Sequence, residues 1–225
     1  MSTKTEKLPN TKAHQRYYLE DGTLVPGVTT VVGLLNKPAL VKWANKLGLE
    51  GTDVTKYVDK AANIGTCAHY MVQCHLAGEE PDLSDYSARD INLAENALLK
   101  YWDWEKQFTI EPILLETPLV SEKKQYGGTV DCYAKLNGEP WLIDFKTGKG
   151  LYDEMFVQVA AYKNLLLENG YKVKGAAILR IGRDETEGFE YRVLDKADLN
   201  RQWKIFQHLL AIYHLKGKDK AKWAS

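Results

Sequence analysis

Long apolar runs are missing from this sequence: none approaches the roughly 18–20 residues that a helix needs to span a bilayer, so no membrane contact is expected. Residues 1–15 are polar and contain no signal-peptide core, which favours a cytoplasmic location. Three cysteines, Cys67, Cys74 and Cys132, are too few to predict a disulfide framework or an iron–sulfur cluster. We interpret all three as buried packing residues.

The chain also has no excess of charge, because 30 basic side chains balance 30 acidic ones. Proteins that coat nucleic acid non-specifically are usually basic overall, so this balance argues against a pure nucleic-acid-binding module. An enzyme with an acidic metal pocket and a local basic track remains compatible. Gly148-Lys149-Gly150 follows a predicted strand but does not match Gly-x-x-x-x-Gly-Lys-[Ser/Thr], so no ATP site is expected.

The spacing of apolar residues predicts an α/β fold with a central mixed β-sheet flanked by helices, in the order αβββαβ. We expect residues 1–50 to form an N-terminal hairpin (16–25) and a helical segment (39–49) packed on a core of residues 51–225. That core ends in a helix and a tail with four lysines. Its predicted helices are about 54–76, 88–108, 152–168 and 199–215, and its strands 110–120, 128–136, 140–146, 174–181 and 188–194.

Asn137-Gly138 lies between two extended runs and is the strongest short-range signal for a β-hairpin. If these two residues form the turn, Asp131 faces Asp144 and Thr129 faces Lys146, and both pairs share one face of the sheet. A β-bulge would shift this register by one residue. The opposite face is apolar and is predicted to face the core; its residues are Val130, Cys132, Ala134, Leu136, Trp141, Ile143 and Phe145.

Directly opposed carboxylates repel each other, so either a shared proton or a bound cation must compensate. Oxygen ligands suit hard cations such as Mg²⁺. Lys146 projects to the same side as Asp144, where it is placed to orient water and to stabilise charge on a phosphate. An isolated Asp-x-Lys is more often a surface ion pair, but the opposed Asp131 favours a site.

Further motifs surround this hairpin in a fixed order, and together they resemble the PD-(D/E)XK nuclease superfamily, specifically its RecB-like exonuclease branch with phage-type and mitochondrial members. The resemblance covers roughly residues 26–194. It rests on Val28-Thr29-Thr30-Val31 through Trp43-Ala44, Ile64-Gly65-Thr66-Cys67-Ala68-His69, Gly127-Gly128-Thr129-Val130-Asp131, Trp141-Leu142-Ile143-Asp144-Phe145-Lys146-Thr147-Gly148 and Gln158-Val159-Ala160-Ala161-Tyr162.

The resemblance implies a restriction-endonuclease-like core in which Asp131, Asp144 and Lys146 are catalytic. The two aspartates would bind Mg²⁺ or Mn²⁺, and the lysine would assist the attacking water. It also implies further metal ligands and a set of supporting or DNA-backbone residues. The implied ligands are His69, the backbone carbonyl of Phe145 and Glu116, and the supporting residues are Gln158, Tyr162, Thr129 and Thr147.

The implied activity is a metal-dependent DNA exonuclease that acts from DNA ends in recombination, repair or replication, with a strand-annealing or recombination protein as partner. The expected setting is a bacterial or phage-infected cell rather than a mitochondrion. Two alternatives stay open: a DNA endonuclease on the same fold, and a catalytically silent DNA-binding module. Lys123, Lys124 and Lys149 are candidate DNA contacts, whereas His208 and His214 on the last helix are expected to be solvated.

Overall fold

The computed structural model describes residues 15–35, 37–183 and 187–223, with side chains as far as residue 217. The polar leader and the side chains of three of the four tail lysines lie outside this part of the chain. The elements are β1 (Tyr17–Tyr18), β2 (Leu24–Val25), α1 (Val28–Val32), α2 (Pro38–Leu49), α3 (Val54–Ala77), α4 (Ala88–Glu105), β3 (Ile110–Ser121), β4 (Tyr126–Leu136), β5 (Glu139–Thr147), α5 (Asp153–Glu168), β6 (Gly175–Ile181), β7 (Phe189–Leu194) and α6 (Lys196–Trp223).

A five-stranded sheet in the order β3-β4-β5-β6-β7 forms the centre of the molecule. Strands β5 and β6 are parallel, and the other neighbours are antiparallel. A parallel pair needs a crossover, which α5 supplies. The predicted α/β class, with a central mixed sheet flanked by helices in the order αβββαβ, is confirmed. The division into residues 1–50 and 51–225 stays a prediction.

Both faces of the sheet are buried, each by its own layer of helices. Leu142 and Ile178 pack on one face with α5 and α6, and Ile143 and Leu179 pack on the other with α3 and α4. Central strands that are buried on both faces have continuous apolar runs, which explains Trp141-Leu142-Ile143 in β5 and Ala176-Ala177-Ile178-Leu179 in β6. Full burial of such side chains contributes about 1.5–3 kcal/mol each.

The three cysteines lie inside this packing, as interpreted from the sequence. Cys67 and Cys132 belong to the cluster between the sheet and α3, and Cys74 is buried farther along α3. Burial raises the pKa of the Cys67 thiol to about 11, so the neutral thiol predominates at physiological pH.

The turn between β4 and β5 has the geometry that Asn-Gly predicts. Asn137 and Gly138 both adopt positive φ, at 50° and 83°. The predicted register is confirmed from Leu136↔Glu139 to Cys132↔Ile143. Among the described residues, no helix is long and apolar enough to cross a bilayer.

Candidate active site

Strands β4 and β5 separate at the point where the sequence places its two aspartates. The ladder ends at Cys132↔Ile143. Asp131 and Asp144 therefore do not form a pair in the ladder, contrary to the expected register. In a continued antiparallel ladder the Phe145 N–H would bond to Val130, but it donates instead to Asp131 Oδ2 at 3.0 Å. The Asp131 carboxylate therefore replaces a backbone acceptor and is fixed where the strands part.

The same interruption reverses the packing of Val130. The sequence places Val130 on the same core-facing side as Cys132, yet Val130 packs in the cluster of α5 and α6 and Cys132 in that of α3. The strict alternation on which that expectation relied is lost at Asp131.

Glu116 meets Asp131 from the other side, across the β3–β4 ladder. It lies between the pairs Leu115↔Cys132 and Thr117↔Val130, opposite Asp131. Its φ of 42° is left-handed, although it stands inside a strand. Such backbone strain costs about 1–3 kcal/mol and concentrates at functional sites.

His69 comes to these carboxylates from α3. Its Nε2 lies 3.1 Å from Asp131 Oδ2, and its Nδ1 lies 3.3 Å from Glu116 Oε1. Both His69 and Asp131 are buried, at 6% and 4% exposure. The imidazole also packs edge-on against the Phe145 ring, with 5.6 Å between the ring centroids. The structure thus brings together His69, Glu116 and Asp131, three of the predicted ligands.

Gly65 explains how α3 approaches the sheet closely enough to place His69. A Cβ on Gly65 would lie within 3.0 Å of Thr147 Oγ1, closer than real Cβ atoms come. Only glycine leaves room for Thr147, which stands at the end of β5. Thr147 therefore contacts α3, and its predicted role at the site stays a prediction.

Asp144 and Lys146 form a second pair at the end of β5. Asp144 is fully buried, and its Oδ2 lies 2.5 Å from Lys146 Nζ. The same ammonium lies 3.5 Å from the Phe145 carbonyl oxygen. Asp144 is not part of the group formed by His69, Glu116 and Asp131. Metal binding by Asp144 and by the Phe145 carbonyl stays a prediction.

Gln158 and Tyr162, one turn apart on α5, stand beside both aspartates. Gln158 Nε2 donates to the Tyr162 hydroxyl oxygen at 2.7 Å. Burial first, and then the negative charges of Asp131 and Asp144, raise the pKa of Tyr162 well above its usual value. The hydroxyl keeps its proton at any physiological pH, and since its oxygen accepts from Gln158, that proton is available for a further acceptor.

An open cleft of about 730 Å³ lies over these groups. Its floor contains His69, Glu116, Asp131 and Lys146, and Gln158 and Tyr162 form one wall. The candidate contacts Lys123, Lys124 and Lys149 are exposed but are not among the residues that line it. Their contact with DNA stays a prediction.

Several cleft residues were not expected from the sequence. Gln73 is one turn after His69, and that spacing was a usable signal. Tyr17 bonds Thr129 Oγ1 through its hydroxyl at 3.0 Å, a contact across 112 residues with no local signal. His214 was expected to be solvated, but it lines the cleft and its Nε2 is shielded from solvent.

The donor set fits a divalent cation. One ligand atom each from His69, Glu116 and Asp131 lie within 4.8 Å of one another. Two negative charges about 4–5 Å apart repel by about 3–4 kcal/mol at an effective dielectric constant of about 20, and a cation relieves that repulsion. Carboxylates suit Mg²⁺ and Mn²⁺, and the imidazole shifts the preference towards Mn²⁺.

Solved exonuclease structures resemble this chain. A candidate exonuclease from Eubacterium rectale gives a TM-score of 0.49 at 10% identity, over 64% of this chain and 64% of that one. An alkaline exonuclease from Laribacter hongkongensis gives 0.34 at 14% identity, over 71% and 87% of the two chains. Its complex with dAMP gives 0.36 at 15% identity, over 74% and 92%.

This chain spans less than two thirds of the length of the Eubacterium rectale protein. No protein-family model and no curated protein matches the sequence. All three TM-scores lie below 0.5, so the chemistry of this chain rests on its own residues.

Gln73 holds the imidazole in place, and its removal is expected to weaken metal binding. Its side-chain nitrogen lies 2.7 Å from His69 Nδ1 and also bonds Glu116. Outer partners of metal-bound histidines typically contribute about 10–100-fold in affinity. Gln73→Leu should therefore weaken Mn²⁺ binding by about that factor in calorimetry. Met71→Leu, on the same helix, is the control; equal affinity in both variants would contradict the assigned role.

Proposed function

We propose that this chain is a divalent-metal-dependent deoxyribonuclease of the RecB-like PD-(D/E)XK branch. The observation that supports it best is the buried group of His69, Glu116 and Asp131 beside the Asp144–Lys146 pair, at the floor of an open cleft. Buried acidic groups that can hold a cation, beside a lysine in a cleft, suit phosphodiester hydrolysis, because the cation and the ammonium together stabilise the negative charge that develops on the phosphate oxygens.

The metal would be held by His69, Glu116 and Asp131, with Asp144 and the Phe145 carbonyl as further proposed ligands. Once bound, Mg²⁺ or Mn²⁺ would polarise a phosphate oxygen and neutralise the charge that develops there. The Glu116 and Asp131 carboxylates also keep other anions away from the floor until a cation is present.

Lys146 has two tasks in this proposal. Its ammonium, held 2.5 Å from Asp144 Oδ2, hydrogen-bonds the attacking water and stabilises negative charge on the phosphate. Asp144 is a positioning residue for that ammonium. Tyr162, whose raised pKa keeps its hydroxyl protonated, donates a hydrogen bond to a phosphate oxygen.

We further propose that cleavage starts from DNA ends, in recombination, repair or replication, with a strand-annealing or recombination protein as partner. The cleft is open to solvent and its reacting groups lie at the bottom. A chain end reaches such a floor more easily than the middle of a long duplex. An endonuclease on the same fold is the second candidate, and linear and circular DNA separate the two.

The test is a cleavage assay with purified protein and end-labelled linear DNA. Cleavage is expected with Mn²⁺ and with Mg²⁺, with half-maximal activity at a lower concentration of Mn²⁺, and none in EDTA. His69→Ala should remove the preference for Mn²⁺, because it removes the nitrogen ligand. Covalently closed circular DNA should stay intact.

Three results would revise the proposal. Nicking of the circle would favour the endonuclease. Undiminished cleavage in EDTA would exclude metal dependence. Absence of cleavage with every metal, in a protein that binds DNA, would favour the silent binding module.

A further inference from the structure

The two edge strands of the central sheet differ in how they are protected from a further strand. Edge β3 contains Pro112 and Pro118, which cannot donate to a ladder. Its register shifts after Pro112, and Glu116 within it has a left-handed φ. Prolines and bulges of this kind prevent another chain from adding to an edge.

Edge β7 has none of these protections. The strand Phe189–Leu194 contains neither proline nor glycine, and it follows β6 in unbroken register over its whole length. Among the described residues, β7 pairs with β6 alone. A strand with a regular, uncovered edge is a template on which a further strand can pair.

The backbone of β7 presents every second residue to this open edge. Gly182 N–H donates to the Gly188 carbonyl oxygen at 2.9 Å, one position beyond the end of the β6–β7 ladder. Hydrogen-bonded pairs alternate along an antiparallel ladder, so the even-numbered residues of β7 bond β6. The odd-numbered residues therefore direct their N–H and carbonyl groups outward; they are Phe189, Tyr191 and Val193.

The side chains of β7 carry opposite charges two residues apart. Glu190 and Arg192 share one face of the strand, where Arg192 Nη2 lies 3.1 Å from Glu190 Oε1. On the other face, Phe189 and Tyr191 pack on the cluster of α3 and α4, whereas Val193 is 47% exposed. An exposed valine beside outward backbone groups favours a strand that gains a neighbour.

A second copy of this chain complements this edge when the two β7 strands run antiparallel about a two-fold axis at Tyr191. Each Glu190 then faces Arg192 of the second copy, and each Phe189 faces Val193. The outward backbone groups of the two strands also bond each other. Moving the axis by one residue places Glu190 opposite Glu190, or Arg192 opposite Arg192, and like charges so placed repel. The charges therefore select the register centred on Tyr191.

We propose that this chain forms a symmetric dimer through β7, in which the five-stranded sheets of two copies join into one continuous sheet. The same patch is used on both copies, as in most symmetric dimers. One strand pair buries less area than the interface of a permanent dimer, so the dimer dissociates on dilution. The described cleft lining contains no residue of β7, so the inference is independent of the proposed nuclease activity.

Sedimentation velocity over a concentration series tests the dimer. Wild type should shift from the mass of one chain towards twice that mass as its concentration rises. Val193→Pro should weaken this association roughly tenfold or more, because it removes one outward N–H from each copy and leaves the bonds to β6 complete. Val193→Thr keeps the N–H and the branched side chain, and it should associate nearly as wild type does.

Charge variants test the register. Arg192→Glu makes both members of each charged pair acidic, and Glu190→Lys makes both basic, so each variant alone should associate at least roughly tenfold more weakly. An equimolar mixture of the two variants restores opposite charges at both positions and should form a mixed dimer. Glu190 Oε2 also lies 3.5 Å from Arg180 Nε, so circular dichroism of each variant monitors the fold.

Three outcomes would overturn the inference. The first is a wild type that stays monomeric at every concentration. The second is a dimer that Val193→Pro leaves unchanged, which would place the interface elsewhere. The third is a pair of folded charge variants that associate no better in the mixture than alone.

Discussion

Lys146→Met is expected to reduce DNA cleavage by roughly 100- to 1000-fold while DNA binding stays nearly unchanged. Methionine keeps an apolar stem in the cleft and removes the ammonium that is proposed to stabilise charge on the phosphate. The loss should appear in kcat rather than in KM, because the ammonium acts most strongly when the charge has developed. Single-turnover kinetics in Mn²⁺, with anisotropy for binding, measure both.

Stability must be separated from catalysis in this experiment. Asp144 is fully buried against Lys146, so removing the ammonium alone leaves a buried charge, which costs about 3–5 kcal/mol. The double variant Lys146→Met/Asp144→Asn removes both charges and should recover the fold but not the activity. Lys174→Met, at an exposed lysine before β6, is the control. Full activity in the folded double variant would show that the pair is not catalytic.

Gly65→Ala is expected to destabilise the protein by about 1–3 kcal/mol, against the trend of helix propensity. In an unhindered helix, alanine is better than glycine by up to about 1 kcal/mol. At Gly65, however, the new Cβ would collide with Thr147 Oγ1, and the collision pushes α3 away from β5. A shift of about 1 Å in His69 would lower activity by about 100-fold.

Gly48 offers the matched control, since a Cβ there meets nothing within 4 Å in helix α2. Gly48→Ala should leave stability unchanged or raise it, as measured by urea unfolding. Thr147→Ala removes the colliding oxygen, so the double variant Gly65→Ala/Thr147→Ala should recover most of the lost stability and the Mn²⁺ affinity. Equal stability of Gly65→Ala and Gly48→Ala would contradict the close packing of α3 against β5.

The local signals in the sequence were sufficient for the sheet and for one half of the site. Asn137-Gly138 determined the β4–β5 register, because a two-residue turn leaves no choice of pairing. Asp144 and Lys146 share a face through simple alternation along β5, and the structure pairs them. Helices α3 and α5 were predicted nearly to their observed ends, whereas α6 (Lys196–Trp223) extends beyond the predicted range 199–215 at both ends.

The other half of the site depends on long-range geometry that no local pattern encodes. Glu116 meets Asp131 only through the β3–β4 register and a left-handed φ inside a strand. The β4–β5 ladder ends at Asp131 because the Phe145 N–H bonds the Asp131 side chain instead of a backbone acceptor. Rules of side-chain alternation do not include this competition. Tyr17 depends on Gly127, which is far from it in sequence, and only packing reveals the purpose of that glycine.

The contact between Tyr17 and Thr129 joins positions 112 residues apart, and Gln73 and Glu116 are separated by 43. Contacts of such separation are slow to form, because the entropy of closing the intervening loop opposes them. The cleft is therefore assembled only when β1, α3, the sheet and α6 have all docked. We therefore expect a nascent or partly refolded chain to hold no complete cleft, so that recovery of the proposed activity after refolding would report the last of these dockings rather than the first appearance of helix.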